Sequence, residues 1–285
     1  MPHGAVARDD IDRIDPSEIT GYRGARLAAT VLLLRDGPTG LEVWVQERVS
    51  TMPNFPGVTV FPGGGVDRRD FPPRQWDSGD LWTGPSVVSV ARRLGSTKYK
   101  AHALVFAAVR ELIEETGTAL AVHADGAPIR DAAFLHHDRQ ELVRHRKSLT
   151  DVLREHNLKV RSDLLHPWAR WVGVAETGAS FDVHSFLAVA PEGQEPDGAT
   201  TEADDANWFS PSLLLDGWRH GLVRLVLPTW AQLRQLESYE TVAQAVEAAA
   251  HMPLRPVADS PRYDRPFQEF FTTTPEDRIG GITWL

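Results

Sequence analysis

The run Arg110-Glu111-Leu112-Ile113-Glu114-Glu115-Thr116-Gly117 constrains this chain more than any other stretch. Wound as an α-helix over 103–116, it places Glu111, Glu114 and Glu115 at i, i+3 and i+4, within an arc of about 100°. Val105, Phe106, Val109, Leu112 and Ile113 project the other way, and Ala107 and Ala108 keep bulk low beside the acids. A helix with such a greasy stripe packs it on a core, which leaves the acidic face to a cleft. Neighbouring carboxylates each disfavour the ionised form of the others, and a hard cation with oxygen ligands relieves that repulsion. Gly117 supplies a residue free to take positive φ where the helix stops. Taken alone, a glutamate-rich run reads equally as a solvated face with Arg110 as an ordinary ion-pair partner.

A second element separates the two readings. Phe61-Pro62-Gly63-Gly64-Gly65 follows the strand-like Val58-Thr59-Val60, and three glycines let backbone turn sharply and approach a ligand closely. Such a loop exposes carbonyls to a metal and amides to a phosphate.

Together, loop and helix resemble the Nudix box, the signature of hydrolases that cleave nucleoside diphosphates linked to another group. The family pattern is Gly, five residues, Glu, seven residues, then Arg-Glu-aliphatic-x-Glu-Glu-x-Gly-aliphatic. Gly64 matches its first glycine, and Arg110, Glu111, Leu112, Glu114, Glu115 and Gly117 match its second half. Thr118 stands where an aliphatic residue is usual. About three dozen residues are inserted after Gly65-Val66-Asp67, so His102 occupies the position eight before Arg110 where the family's first Glu would fall. The resemblance implies that Glu111, Glu114 and Glu115, with the Gly63 carbonyl, hold Mg2+ or Mn2+, that Gly64 contacts substrate, and that Arg110 and Gly117 are structural. It also implies a further acid a few residues before a tryptophan-bearing strand. Glu202, six residues before Trp208, is the first choice, and Asp204 and Asp205 are its rivals. Glu111 is the first candidate for general base and Glu202 the second.

The balance of 30 basic and 39 acidic residues gives a net charge of −9, a field that repels nucleic-acid tracts and suits a small nucleotide-type substrate. Local positive charge must then meet the substrate's phosphates; Arg48, before the glycine loop, is the favoured source, with Lys98 to Lys100 as a supplement. Cysteine is absent, which excludes disulfides, thiolate zinc and cysteine nucleophiles. No apolar run approaches the roughly 20 residues that cross a bilayer. Met1-Pro2-His3-Gly4 followed by Arg8-Asp9-Asp10 lacks a signal-peptide core, so the expectation is a cytoplasmic protein without a membrane partner.

Along the chain, residues 1–24 form an irregular segment, 25–210 a catalytic α/β domain with an insertion at about 68–100, and 211–285 a helical C-terminal extension and tail. A hairpin is expected from Leu27–Arg35 and Leu41–Glu47 across Asp36-Gly37-Pro38-Thr39-Gly40. Later strands fall at 169–175, 181–190 and 206–209, and helices at 138–157, 211–217, 229–237 and 241–251. The insertion reads as a long loop whose Trp76 and Trp82 pack on the protein body or on a substrate base. His184 reads as a paired structural histidine. Such a mixture suits an α/β/α sandwich with a mixed sheet, as the resemblance implies. The tail has the choice of wrapping the domain, pairing a homodimer or lying loose.

Substrate identity rests on a second resemblance. Coenzyme A diphosphatases of the family carry an arginine, a glycine nine residues on, and Phe-Pro-Gly-Gly four residues later; Arg48, Gly57 and Phe61-Pro62-Gly63-Gly64 keep that spacing. Val49 and Pro53 depart from that motif. Trp168-Ala169-Arg170-Trp171 is similar to a longer coenzyme A branch and makes Trp168 a substrate-binding candidate. Coenzyme A or acyl-coenzyme A is the favoured substrate, against ADP-ribose, NADH or diadenosine polyphosphates. An idle scaffold that only binds a nucleotide or partner is the competing class, supported by the missing first Glu.

Overall fold

The computed structural model describes residues 16–51, 56–73, 75–77, 79–175, 178–200, 203–258 and 261–273. After a short helix α1 (Pro16–Ile19), strands β1 (Arg26–Gly37) and β2 (Gly40–Arg48) form the expected antiparallel hairpin, closed at Gly37 and Gly40. The short strands β3 (Thr59–Val60) and β4 (Gly63–Gly65) then pair with β2 and β1. With β8 (Leu165–Val174), β9 (Ser180–Val189) and β10 (Ala203–Phe209) they make a mixed sheet of order β10-β2-β1-β9-β8, in which only the β1–β9 pairing is parallel.

Because β1 is central, its side chains are buried on both faces, and this is why it reads as an unbroken apolar run. Leu27, Ala29, Val31 and Leu33 join the core that contains helix α3 (Lys98–Thr116). Leu32 and Leu34 join a second core built with α6 (Pro211–Arg219), α7 (Leu227–Leu236), α8 (Val242–His251) and α9 (Gln268–Thr273). Helices therefore cover both faces, which is the expected α/β/α sandwich. In the second core Trp218, Trp230 and Phe270 pack with ring centroids 5.6–5.8 Å apart. The helices after residue 211 thus share a core with the sheet.

Two stretches differ from expectation. The insertion is partly folded: α2 (Val87–Leu94) starts at Ser86, whose side chain accepts from the Ser89 N–H, and stops at a left-handed Gly95. Its Arg93 donates to the Ala249 carbonyl at the end of α8, 2.7 Å away, so insertion and C-terminal helices are joined directly. Within the same segment β5 (Trp82–Thr83) enters a small second sheet with β7 (Leu158–Arg161) and β6 (Ala121–His123). Trp76 and Trp82 both pack on the ring of His102, at 4.6 and 6.0 Å, which places them on the protein body. The single helix expected over 138–157 is two, α4 (His136–Val143) and α5 (Leu149–Glu155). His145 takes a left-handed φ of 56° between them, and a capping box from Ser148 and Asp151 starts the second.

Candidate active site

Helix α3 begins at Thr97, whose hydroxyl accepts from the Lys100 N–H, and ends at Gly117 with φ 71°. Packing on both sides buries Glu111 and Glu115 to 7% and 5% exposure, so the acids are far less solvated than a surface helix face would leave them. Arg110 organises them. Its Nη1 donates to Glu111 Oε1 at 2.7 Å and Glu114 Oε1 at 3.2 Å, its Nη2 to the Gly65 carbonyl at 2.8 Å and Asp70 Oδ2 at 3.0 Å, and its Nε to Asp70 Oδ1 at 3.0 Å. Glu115 Oε2 accepts from Gln46 Nε2 at 2.7 Å and from the Gly63 N–H at 3.0 Å.

The glycine strand is explained by the same contacts. A Cβ on Gly64 would lie 2.5 Å from Glu111 Oε1, and one on Gly63 would lie 2.4 Å from the Ala29 carbonyl oxygen. Only bare backbone lets the carboxylates stand this close to β4.

Asp70 was not anticipated. It is 1% exposed and fixed in a short turn by the capping box with Asp67. Five residues separate it from Gly64, so it fills the place of the signature's first acid, and the insertion lies between it and Arg110 rather than before it. His102, counted backwards across the insertion, is corrected accordingly. Its Nδ1 lies 3.1 Å from the Asp70 carbonyl and its ring stacks on Phe106 at 3.9 Å. Burial holds this imidazole down at about 4. Counting forward from Gly64 was the available signal.

Three carboxyls here, Asp70, Glu111 and Glu114, face one guanidinium. Burial pushes Glu111 up to about 7 and raises Glu114 and Asp70 above the usual carboxylate range, against the pull of Arg110. An all-oxygen donor set, short of positive charge and opening on a cleft, fits a hard divalent cation. Among the described residues, the one trio of acids and histidines whose ligand atoms already lie within 4.8 Å of one another is a different one, Asp138, Glu155 and His156. Lys147 stands within that trio, its Nζ 2.6 Å from Asp138 and 2.5 Å from Glu155, so its charge is met without a metal.

Glu111, Glu114, Glu115, Gly63, Gly64, Arg110 and Arg48 all line one cleft of about 1250 Å3. Trp171, Ser185, Thr229 and Gln232 line it as well. Trp168 does not reach it: this residue is the extra one of a bulge between the pairs Pro167–Phe186 and Ala169–Ser185, and it is wholly buried against Tyr239. Trp171 takes the wall position instead. Glu202 lies outside the described residues. Asp204 and Asp205 are exposed on β10 and do not line the cleft, and Lys98 and Lys100 sit in the first turn of α3, away from it. Gly57, with φ 61°, donates its N–H to the Arg48 carbonyl at 2.9 Å. His184 stands 3.5 Å from Asp182, 3% exposed, as a structural pair.

No family model and no curated protein matches the sequence. Among solved structures, a NUDIX hydrolase from Alicyclobacillus acidocaldarius is similar over 81% of this chain and 98% of its own, at 25% identity and a TM-score of 0.63. The chain has the fold of a Nudix hydrolase, a likeness that supports a pyrophosphohydrolase. RenU of M. smegmatis, at 15% identity and TM-score 0.36, and the NUDIX domain of Shewanella oneidensis NrtR complexed with ADP ribose, at 12% and 0.40, overlay too loosely to carry an argument. Asp70, Arg110 and the three glutamates of α3 fall on positions of the Nudix pattern, and the described residues contain no helix long and apolar enough to cross a membrane.

Proposed function

We propose that this Nudix-type enzyme hydrolyses the pyrophosphate bond of a nucleoside diphosphate linked to another group, with Mg2+ or Mn2+ at Glu111, Glu114, Glu115 and the Gly63 carbonyl. The observation that carries the proposal is that three carboxyls, Asp70, Glu111 and Glu114, share the one guanidinium of Arg110, beside the wall of the cleft that Arg48 also lines. When bound, the ion would supply charge neutralisation at the phosphates and a more acidic water. Arg110 fixes Glu111 through Oε1, which leaves Oε2 to take the water's proton. Arg48 meets the negative charge of the bound linkage, and bare Gly64 lets the phosphates approach the backbone. Asp70, by filling the first acidic position, removes the main support for an idle scaffold.

Among substrates, coenzyme A or acyl-coenzyme A is favoured by the spacing Arg48, Gly57, Phe61-Pro62-Gly63-Gly64. The test is to incubate the protein with Mg2+ or Mn2+ and coenzyme A, ADP-ribose, NADH and diadenosine polyphosphates, and to resolve the phosphoanhydride products. One rapidly cleaved compound, lost in Glu115→Gln, is expected; full turnover in that variant overturns the site, and a blank panel overturns the activity.

A further inference from the structure

Beside the acidic face of α3, on the same cleft, lies a basic face of α4. His136, Arg139, Gln140, Val143 and Arg144 follow one another at i, i+3, i+4, i+7 and i+8 along α4 and its C-cap, and all five line the cleft. Leu142 and Asp138, on the other side of the helix, are buried at 0% and 3% exposure. The periodicity therefore assigns the basic residues to the cleft by the same rule that buries the rest.

Arg139 is the anchor. It is 7% exposed; its Nε donates to the Glu114 carbonyl at 3.0 Å and its Nη1 to Asp197 Oδ1 at 2.8 Å. Its Nη2 is buried without a hydrogen-bond partner among the described residues. Beside it Arg144, 54% exposed on its side chain, makes among the described residues a single 3.4 Å side-chain contact, with Glu141, and Val143 is 48% exposed. The cleft's remaining acid near this face, Asp67, is already held by Arg69 through paired contacts of 2.9 Å. In a chain of net charge −9, a cationic helix face facing a cleft needs an anion. The scissile linkage already has α3, its ion and Arg48.

We infer that this face of α4 is a second phosphate subsite, which receives a phosphate monoester carried by the substrate outside the linkage that is cleaved. The inference rests on the proposed pyrophosphohydrolase reading and sharpens it, selecting substrates with three phosphates over those with two. Guanidinium groups suit this task because their fork of donors matches phosphate oxygens.

The experiment compares compounds that differ by one phosphate monoester: coenzyme A with 3′-dephospho-coenzyme A, and NADPH with NADH. It uses the full chain and the variants Arg144→Ala, Arg139→Lys and Arg130→Ala. Arg130 is a charge-matched control, exposed and paired with Glu192 away from the cleft. The parent is expected to favour the phosphorylated member of one pair by about tenfold in kcat/KM, carried mainly by KM, as a charge-assisted hydrogen bond predicts. Arg144→Ala should bring the ratio close to one, and Arg130→Ala should leave it at the parent's value. A ratio of one in the parent, or an equal loss on both members in Arg144→Ala, overturns the subsite. If neither pair is cleaved, calorimetric binding of 3′,5′-ADP and 5′-AMP decides. Tighter binding of the bisphosphate, lost in Arg144→Ala, supports the subsite even as the proposed activity fails, and equal binding refutes it.

Discussion

Two acidic clusters in this molecule look alike in composition and differ in what they need. Asp138, Glu155 and His156 hold their ligand atoms within 4.8 Å, closer than the acids of α3 do. Yet Lys147 bridges Asp138 and Glu155, and His156 lies 2.8 Å from Asp138; these contacts outweigh burial and hold the Asp138 carboxyl below its ordinary range. On α3 the order is reversed. Burial outweighs Arg110, and Glu111 and Glu114 are pushed up. Proximity alone does not mark a metal site; carboxyls that burial raises beside a cleft do.

The largest effect that would break this contrast is catalytic. Glu115→Gln keeps the hydrogen bonds' geometry nearly intact but removes a charge from the donor set, and should lower kcat by about 10³-fold with Mg2+, measured by product formation. Next comes the clamp. Asp70→Ala leaves the buried Arg110 with Glu111, Glu114 and the Gly65 carbonyl, and should cost about 3 kcal/mol in urea unfolding, the low end for a broken buried pair. A loss under about 1 kcal/mol would show Asp70 to be incidental.

Smaller, but with a definite sign, is the pH response of metal-free protein. Glu111 holds its proton in the folded state up to about 7, against an ordinary value of 4.5. Between those pH values the folded state binds more protons than the unfolded, so this group's share of stability falls as pH rises, by an amount on the order of 2 kcal/mol. Melting temperatures in a chelator should show the decline, and Glu111→Gln or added Mg2+ should flatten it. Smallest is Asp138→Asn, which loosens Lys147 and His156 for about 1 kcal/mol and should not change divalent-ion affinity.

Legibility in the sequence followed the same divide between local pattern and long-range geometry. The β1–β2 hairpin and the α3 stripe were readable because periodicity and glycine placement are local properties. Asp70 was missed because the pattern was counted back from Arg110 across the insertion, where spacing no longer carries meaning. Trp168 was misplaced because a one-residue bulge re-aims a side chain, and no local signal announces it. The break between α4 and α5 did have a signal, the Ser148–Asp151 capping-box spacing, but the leucine spacing on either side masked it. Arg139 was invisible for another reason: its partners, the Glu114 carbonyl and Asp197, come from segments 25 and 58 residues away.

The most direct test is calorimetric titration of Mn2+ into the parent, Glu115→Gln and Asp138→Asn. Binding in the parent that is abolished or weakened at least about tenfold in Glu115→Gln and unchanged in Asp138→Asn is the predicted result. Undiminished binding in Glu115→Gln, with loss in Asp138→Asn, would place the ion at the other cluster and contradict the account.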